Sequence, residues 1–425
     1  MRLQFIGNAC QIITSTQGAT RLLCDPWINN GAFEGSWCHA GPLPTNSLRH
    51  GRDFDLIYLS HIHPDHYDEK FLRTVDRSCP IVIPAEKPMQ LLSARVGAMG
   101  FTHVIELSDR QSHRHDDLTV TLFAPFQPNR FHERYELPNF IDSAVLVSDG
   151  QHSVLDTNDN FPTPAQINRI EEEFGVPDLL QILYNSAGFY PQCVDDLSIQ
   201  EKSVERESVL QSCFDKMLDV ARSSHSGTVM PFAGDYILGG RLSALNEFLA
   251  ISTPQTASSF LENHGVRSVS TGMGGRLDVA TGREEEPGTS YSYEDILSYA
   301  DRQLAGITYA YEREAVPESS HLRELVQKAE VNLRQRLERF GIFPDWKVAF
   351  RSALDDSDLG LVRLAKSGDG SREMLCTLDD RLLLNILERR SHWDNAQVGS
   401  HIRFSRNCHP EYSQEVHTLL SFLHA

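Results

Sequence analysis

The chain has 425 residues, of which 40% are hydrophobic and 23% charged, as expected for a globular protein with a large core and two or three domains. Its formal net charge of −19 argues against a nucleic-acid partner, because binding to a phosphate backbone relies on clustered lysines and arginines and the sequence has no such cluster. The N-terminus lacks the apolar stretch of a signal peptide, and no run approaches the roughly 20 apolar residues that span a bilayer, so we expect a cytoplasmic protein with no membrane span.

The N-terminal segment predicts short strands that end in polar residues. Residues 1–25 show the pattern of three strands joined by turns, and residues 56–59 form a further apolar run typical of a buried strand. The third strand ends at Asp25, which precedes Pro26. An aspartate in this place either orients metal ligands from behind or starts a turn before the proline, and the sequence favours neither interpretation.

The stretch from Ser60 to His66, Ser-His-Ile-His-Pro-Asp-His, directly follows the strand at 56–59. Residues two apart in an extended backbone point the same way, so His61 and His63 can bind one metal ion while Asp65 and His66 face a second. The alternative is a polar surface loop that is rich in histidine by chance. The ligand-like spacing after a buried strand favours the metal site.

The segment after the histidines alternates between strands and a helix, which predicts an α/β layer followed by antiparallel strands. The predicted strands cover residues 80–84, 103–107, 118–123, 144–147 and 153–155, and the predicted helix lies near residues 88–99.

The strand at 153–155 runs into Asp156-Thr157-Asn158-Asp159. A carboxylate just beyond a buried strand can bridge two cations, since each oxygen offers lone pairs to a different ion. Asp156 and Asp159 both qualify by chemistry. We favour Asp159, because Asp156 is expected to lie still within the strand ladder; a simple turn aspartate is the alternative.

The next predicted elements are a helix over 163–174, a strand over 179–184, one or two helices over 195–224 and a strand from 227 that ends near Asp235. Asp235 is a third carboxylate at a strand end, either a metal ligand or a loop residue. The glycine-rich segment 272–275 lacks the context of a phosphate-binding loop and predicts a flexible loop, and residues 282–291 predict a solvated, mobile segment.

A change in pattern at Pro317 predicts a boundary between a metal-binding domain, residues 1–316, and a C-terminal α+β accessory domain, residues 317–425. Leucines at helical spacing from Leu322 predict an amphipathic helix that ends at Gly341. The accessory domain could cap the site, bind the organic part of a substrate or form a homodimer interface. Its further predicted strands cover 347–350, 359–364, 373–378 and 401–405, and its further helices cover 379–389 and 411–423.

The motif His61-x-His63-x-Asp65-His66 resembles the signature of the metallo-β-lactamase superfamily. The resemblance covers roughly residues 1–280 and implies an α/β fold, an αββα sandwich with a mono- or dinuclear metal site at one edge. It places Asp25 at the first strand-end position and Asp159 at the bridging position.

Within that superfamily, the sequence more closely resembles the catalytic part of CMP-N-acetylneuraminate hydroxylase-like proteins. The residues that carry this likeness, besides the histidine motif, are Asp25-Pro26-Trp27, the segment from Asp142 to Asp159, Ala187-Gly188-Phe189-Tyr190-Pro191 and Pro231-Phe232-Ala233-Gly234.

The sequence departs from the hydroxylase pattern in two places. Those hydroxylases carry a Rieske iron–sulfur module, whereas this sequence has no Cys-x-His with a later Cys-x-x-His. The third histidine, which the family places after the strand at 118–123, is missing there. His132 is the candidate replacement, with Glu133, His113 and His115 as alternatives, and Asp235 is the candidate for the last ligand position. A ligand set with more carboxylate and less imidazole favours iron or manganese over zinc.

Three functions fit these residues. The first is a metal-dependent hydrolase of a small metabolite, cleaving an ester, thioester, amide or phosphodiester, in which the metal lowers the pKa of bound water from about 15.7 to about 7. Asp159 would bridge two divalent ions (zinc, iron or manganese) and Asp65 would orient the nucleophile or carry its proton. The second is a non-haem diiron oxygenase that hydroxylates a small metabolite with electrons from a separate protein. The third is a binding protein built on a degenerate site.

Overall fold

A computed structural model describes residues 1–44, 48, 54–85, 91–126, 142–367, 370–406 and 414–425. The strands are β1 Arg2–Gly7, β2 Cys10–Thr14, β3 Arg21–Cys24, β4 Trp37–His39, β5 Leu56–Tyr58, β6 Ile81–Pro84, β7 Val104–Leu107, β8 Ser112–His115, β9 Leu118–Phe123, β10 Ala144–Ser148, β11 Ser153–Asp156, β12 Leu179–Ile182, β13 Thr228–Pro231, β14 Tyr236–Leu238, β15 Arg276–Asp278, β16 Arg283–Glu286, β17 Trp346–Ser352, β18 Asp358–Arg363, β19 Arg372–Leu378 and β20 Arg403–Arg406. The helices are α1 Glu69–Leu72, α2 Leu91–Ala98, α3 Pro164–Phe174, α4 Ile199–Ser223, α5 Pro254–Asn263, α6 Tyr293–Tyr299, α7 Ser319–Phe340, α8 Asp380–Leu387, α9 Trp393–Val398 and α10 Gln414–Leu420.

Two large mixed sheets form the N-terminal part of the chain. The first has the order β16-β15-β1-β2-β3-β5-β6-β7 and the second the order β13-β12-β11-β10-β9-β8. In the first sheet β3, β5, β6 and β7 run parallel to one another, and in the second β11, β12 and β13 do so, while the remaining neighbours are antiparallel.

The two sheets pack face to face. Side chains at alternate positions of their strands point inward and form one shared central core. This core contains Leu3, Phe5, Leu22, Leu56, Tyr58 and Val82 from the first sheet and Val120, Leu122, Val145, Val147, Val154 and Leu179 from the second.

The opposite face of each sheet is covered by helices. Ile57, Ile81 and Ile83 of the first sheet pack with Leu92 and Val96 of α2. The outer face of the second sheet packs on α3, α4 and α5 through Leu146, Leu155, Leu180, Ile167, Ile170, Phe214, Met217, Ala257 and Leu261. Helix, sheet, sheet and helix thus form four layers, and the predicted αββα sandwich is confirmed.

The C-terminal unit, residues 317–425, contains a sheet of order β18-β17-β19-β20, against which α7 packs. Helix α7 ends at Gly341, whose φ of 68° lies in the left-handed region that glycine adopts without a Cβ clash. The apolar side chains of this unit belong to the same contiguous core as the sandwich. The backbone of Phe404 in β20 also exchanges hydrogen bonds with Cys193 O (2.8 Å) and Asp195 N (2.8 Å). The predicted domain boundary at 316/317 stays a prediction.

Several segments differ from the sequence-based expectations, since β4, β8, β14, β15, α5 and α6 were not predicted. Residues 283–286, expected to be part of a mobile segment, form the edge strand β16; all four are exposed, and the strand is held by pairing with β15 and by the ion pair between Arg276 and Glu286 (3.0 Å). Helix α9 was not predicted, because six residues are too few to show a helical apolar period. Among the described residues, no helix combines the length and apolar character needed to cross a membrane.

Candidate metal centre

The candidate site lies at the edge of the sandwich where several strand ends meet. Strands β3 and β5 are parallel neighbours, so Asp25 and the histidine stretch follow their carboxyl ends side by side, and Asp25 N donates to Tyr58 O (3.0 Å). Strand β10 runs antiparallel to β11, with Val145 opposite Asp156. The residues before β10 therefore lie beside those after β11, which brings Asp142 next to Asp159.

Four side chains form a group of a size that suits a single metal ion. One ligand atom from each of His61, His63, Asp142 and Asp159 lies within 4.8 Å of the others. His61 Nε2 is 3.0 Å from His63 Nδ1, 3.7 Å from Asp142 Oδ1 and 3.8 Å from Asp159 Oδ2. When two ligand atoms each lie about 2.0–2.2 Å from the same ion, the distance between them is similar to these three distances. We refer to these four residues as the first ligand group.

The orientation of His61 is fixed from behind. Its Nδ1 pairs with Ser60 Oγ (2.9 Å), while Ser143 Oγ donates to Ser60 O (2.6 Å) and also pairs with Tyr58 OH (2.8 Å). Nε2 is thereby directed at the carboxylates. Burial, followed by the nearby His66 and His63, holds the pKa of His61 well below its usual value, so the ring is in the neutral form that binds metals.

A second ligand group, Asp65, His66 and Asp159, adjoins the first. His66 Nε2 is 3.3 Å from Asp65 Oδ2 and 3.5 Å from Asp159 Oδ2, the same oxygen that lies 3.8 Å from His61. That oxygen stands between the two groups, as a bridging ligand must. Asp65 Oδ1 is buried without a hydrogen-bond partner among the described residues, which is costly for a carboxylate unless a cation offsets the loss of water. The residues therefore fit two metal ions.

The second ligand group is also held by surrounding side chains. Asp25 accepts from Ser60 N (2.7 Å) and from His66 Nδ1 (3.1 Å), which leaves His66 Nε2 to face Asp65 and Asp159. Asn8 Nδ2 donates to Asp65 Oδ2 (3.1 Å). Such outer hydrogen bonds fix the tautomer and the ring direction of metal-binding histidines.

The carboxylates show electrostatic signs of a cation site. Burial, and after it the charge of Asp159, raises the pKa of Asp142 to about 7. Burial lowers the pKa of His66, but the charges of Asp65 and Asp159 outweigh it and hold that pKa well above its usual value. Negative groups crowded at low solvent exposure are stabilised by a positive partner, either a proton or a metal ion.

The remaining candidates from the sequence fall in different places. Asp156 lies within β11, where it accepts from Gln11 Nε2 (2.9 Å), so Asp159 is the residue that reaches beyond the ladder. Asp235 N donates to Asn8 Oδ1 (3.1 Å), yet within the described part of the chain the Asp235 carboxylate is not a member of the first ligand group. It lines a small, partly open pocket, and burial raises its pKa to about 7.

Four residues were candidates for the third metal ligand. His132 and Glu133 lie outside the described residues. His113 and His115 lie on β8, with ring centroids 6.4 Å apart, and neither is in the first ligand group.

Asp142 was not predicted as a candidate ligand, because the prediction considered carboxylates that follow a strand. Asp142 instead lies before strand β10. The available signal was the hairpin between β10 and β11. Its antiparallel pairing places the start of one strand beside the end of the other.

Comparisons with known proteins support the hydroxylase-like resemblance. The chain is 29% identical over 244 residues to a protein named putative Rieske 2Fe-2S iron-sulfur protein from Mycobacterium tuberculosis, a match that covers 55% of this chain and 44% of that protein. It is 30% identical over 78 residues to cytidine monophosphate-N-acetylneuraminic acid hydroxylase from Danio rerio, covering 18% of this chain and 13% of that enzyme. The chain thus matches less than half the length of these relatives. No protein-family model matches it.

Matches among solved structures include a possible metal-dependent hydrolase from Veillonella parvula, with a TM-score of 0.46, 14% identity and coverage of 65% of this chain and 98% of that one. CmlA, a diiron β-hydroxylase from Streptomyces venezuelae, has a TM-score of 0.44, 16% identity and coverage of 67% of this chain and 54% of that one.

Proposed function

We propose that this chain binds two iron ions and hydroxylates a small metabolite with molecular oxygen, using electrons from a separate protein. The observation that carries the proposal is Asp142, which gives the first ligand group two imidazoles and a carboxylate beside the shared Asp159. Two histidines with one carboxylate and open positions are typical of non-haem iron oxygenases. One oxygen atom enters a substrate C–H bond, and the other leaves as water after two electrons and two protons arrive.

Bound iron would supply the activation of oxygen, and the side chains hold and orient it. His61, His63 and Asp142 are assigned to the first ion, Asp65 and His66 to the second, and Asp159 to both. Neutral His61 and the hydrogen bonds of Asp25 and Asn8 keep the ligand atoms directed at the ion positions.

The solvent exposure of the ligands indicates the side from which a substrate approaches. The side chains of His61 and His66 are 0% and 1% exposed, whereas those of Asp142 and Asp159 are 34% and 25% exposed. The sandwich closes the centre at His61 and His66, whereas the His63 side chain is 18% exposed. A substrate would therefore approach bound ions from the side of the two aspartates and His63.

The assignment of a separate electron donor rests on the relatives and on the sequence. The mycobacterial relative is named a Rieske iron–sulfur protein, and the match to this chain leaves more than half of it uncovered. These 425 residues contain no Cys-x-His or Cys-x-x-His spacing to hold a Rieske cluster.

Anaerobic reconstitution with ferrous iron, followed by metal analysis and oxygen-uptake measurements, tests the proposal. We expect two irons per chain and oxygen uptake that depends on added reductant. Asp142→His restores a third imidazole and should shift metal preference toward zinc while lowering oxygen uptake. A wild-type chain that retains zinc in place of iron and consumes no oxygen would contradict the proposal.

Metal-dependent hydrolysis is the second candidate, because one Asp159 oxygen stands between the two ligand groups, where two ions could activate a shared water. A panel of ester, thioester, amide and phosphodiester substrates distinguishes the two functions. Metal-dependent cleavage without oxygen uptake would establish hydrolysis instead.

A further inference from the structure

A side chain from the C-terminal unit reaches a metal-binding histidine. His63 Nε2 donates to Asp394 Oδ2 over 3.1 Å, across a sequence separation of 331 residues. The other nitrogen of the ring, Nδ1, faces His61 Nε2 at 3.0 Å within the first ligand group. His63 therefore uses one nitrogen toward the metal position and the other toward Asp394.

Asp394 is held in place by the fold around it. It lies in the first turn of α9, where its backbone N–H donates to His392 Nδ1 (3.3 Å). The neighbouring Trp393 is 1% exposed, its Nε1 donates to Gln397 Oε1 (3.1 Å), and its ring packs edge-on against Phe350 of β17 at 6.2 Å. The carboxylate, itself 34% exposed, is thus presented from a helix that the buried Trp393 anchors.

The end of α9 is tied to the sandwich by hydrogen bonds to a loop near the site. Ser36 Oγ donates to Gly399 O (2.7 Å), and Trp37 Nε1 donates to Val398 O (3.3 Å). In the same loop, the Phe33 ring packs edge-on against His63 at 5.5 Å. The loop therefore contacts both α9 and the ring that Asp394 binds.

We propose that Asp394 is a positioning residue for the metal centre, so that the C-terminal unit completes a site whose ligands all come from the sandwich. The inference rests on the proposed metal centre. Its physical basis is the choice of tautomer: an acceptor at Nε2 keeps the proton there and leaves the Nδ1 lone pair for the ion. Loss of such a partner typically costs about 10- to 100-fold in metal affinity.

The test compares variants of the full chain by metal affinity, measured by chelator competition with Co²⁺ or Fe²⁺. Asp394→Ala should weaken binding by about 10- to 100-fold. Asp394→Asn, which keeps an acceptor oxygen for His63 Nε2–H, should restore most of the affinity. The Co²⁺ absorption spectrum should change in the alanine variant and return toward that of the wild type with asparagine, a response that a merely structural role would not produce.

Gln397→Ala is the matched control, because it removes the hydrogen bond to Trp393 within the same helix without touching His63. It should lower thermal stability and leave metal affinity unchanged. If Asp394→Ala does not fold, Asp394→Ser serves in its place, since serine suits a first helical turn and is too short to reach His63.

Three results would overturn the inference. Wild-type affinity in folded Asp394→Ala or Asp394→Ser would exclude positioning by Asp394 while leaving the metal centre intact. An equal loss of affinity in Gln397→Ala would assign the effect to helix stability alone. A wild-type chain that binds no metal, or binds it no better than His61→Ala does, would overturn the proposed function together with this inference.

Discussion

At the scale of single residues, Asp142 is the residue on which the proposed chemistry of the centre depends most. It supplies a carboxylate beside two imidazoles, 3.7 Å from His61 Nε2, and it shares the group with Asp159. Two nearby carboxylates repel each other, so the pKa of Asp142 stands at about 7, raised first by burial and then by the charge of Asp159. A cation between them would offset this repulsion and favour the ionised form of Asp142.

Asp142→Ala should weaken metal binding by more than about 100-fold, because a direct ligand contributes more than the outer partners whose loss costs about 10- to 100-fold. Metal affinity by chelator competition gives the measurement. His113→Ala is the control, since His113 lies on β8 outside the first ligand group and should keep full affinity. Equal affinities in the two variants would remove Asp142 from the ligand set.

At the scale of elements, the sequence predicted the longer strands and helices with a clear apolar period and missed most of the short ones. Most core strands and α7 were predicted because their apolar residues repeat at intervals of two or of three to four. The sequence did not predict the short strands β4, β8, β14, β15 and β16 or the helices α5 and α6. Helix α9 shows no such repeat, so both the helix and its Asp394 escaped prediction. The histidine stretch was found because its ligands adjoin one another in the chain, whereas Asp142 reaches the site only through the pairing of β10 with β11.

Helix α7 offers a test of the packing that supports the C-terminal unit. Leu333 on its buried face is 1% exposed, and Val331 in the same helix is 55% exposed. Leu333→Ala should lower the free energy of unfolding by about 2–5 kcal/mol through lost burial and a residual cavity.

Val331→Ala should change the same free energy by less than about 0.7 kcal/mol, and in the stabilising direction, since alanine is the better helix former. Urea unfolding of both variants gives the comparison. A large loss in Val331→Ala, or none in Leu333→Ala, would place α7 with a different face toward the sheet.

At the scale of the whole molecule, the sandwich and the C-terminal unit are joined through buried polar contacts as well as apolar ones. His401 Nε2 donates to Phe33 O (3.0 Å), and Tyr311 OH pairs with His401 Nδ1 (2.9 Å). Both ring nitrogens are therefore used in the neutral state. Burial lowers the pKa of His401 to about 3, although the hydrogen bond to Phe33 O opposes this shift.

This pKa predicts a loss of stability in acid. In the unfolded chain the histidine takes up a proton below a pH of about 6.5, while in the folded chain it stays neutral down to a pH of about 3. Protonation of the unfolded chain therefore favours unfolding as the pH falls through this window. For this residue, the free energy of unfolding should fall by about 2 kcal/mol between pH 7 and pH 5.

Urea unfolding of the wild type and of His401→Gln at both pH values measures this contribution. Between pH 7 and pH 5, the free energy of unfolding of the glutamine variant should fall by about 2 kcal/mol less than that of the wild type. This difference does not depend on the stability of the variant at pH 7. Identical losses in the two proteins would show that His401 does not titrate between the folded and unfolded states.

Metal removal should destabilise the whole chain, since an ion that binds only the folded state shifts the unfolding equilibrium. At a free metal concentration about 100 times the dissociation constant, the stabilisation is about 2.7 kcal/mol. Thermal unfolding with and without a chelator should show this shift in the wild type and little of it in His61→Ala. If metal did not change the melting temperature of the wild type, the folded chain would not bind it preferentially, which would contradict the proposed site.

The hydrogen bond between His63 and Asp394 has a consequence for protein synthesis. Ribosomes add about 5–20 residues per second, so the 331 residues that separate the two side chains take on the order of tens of seconds to make. During that time, the nascent chain already exposes its histidine stretch but lacks the carboxylate that holds His63. If Asp394 positions His63 as proposed, the centre reaches its full metal affinity only after the C-terminal unit has left the ribosome.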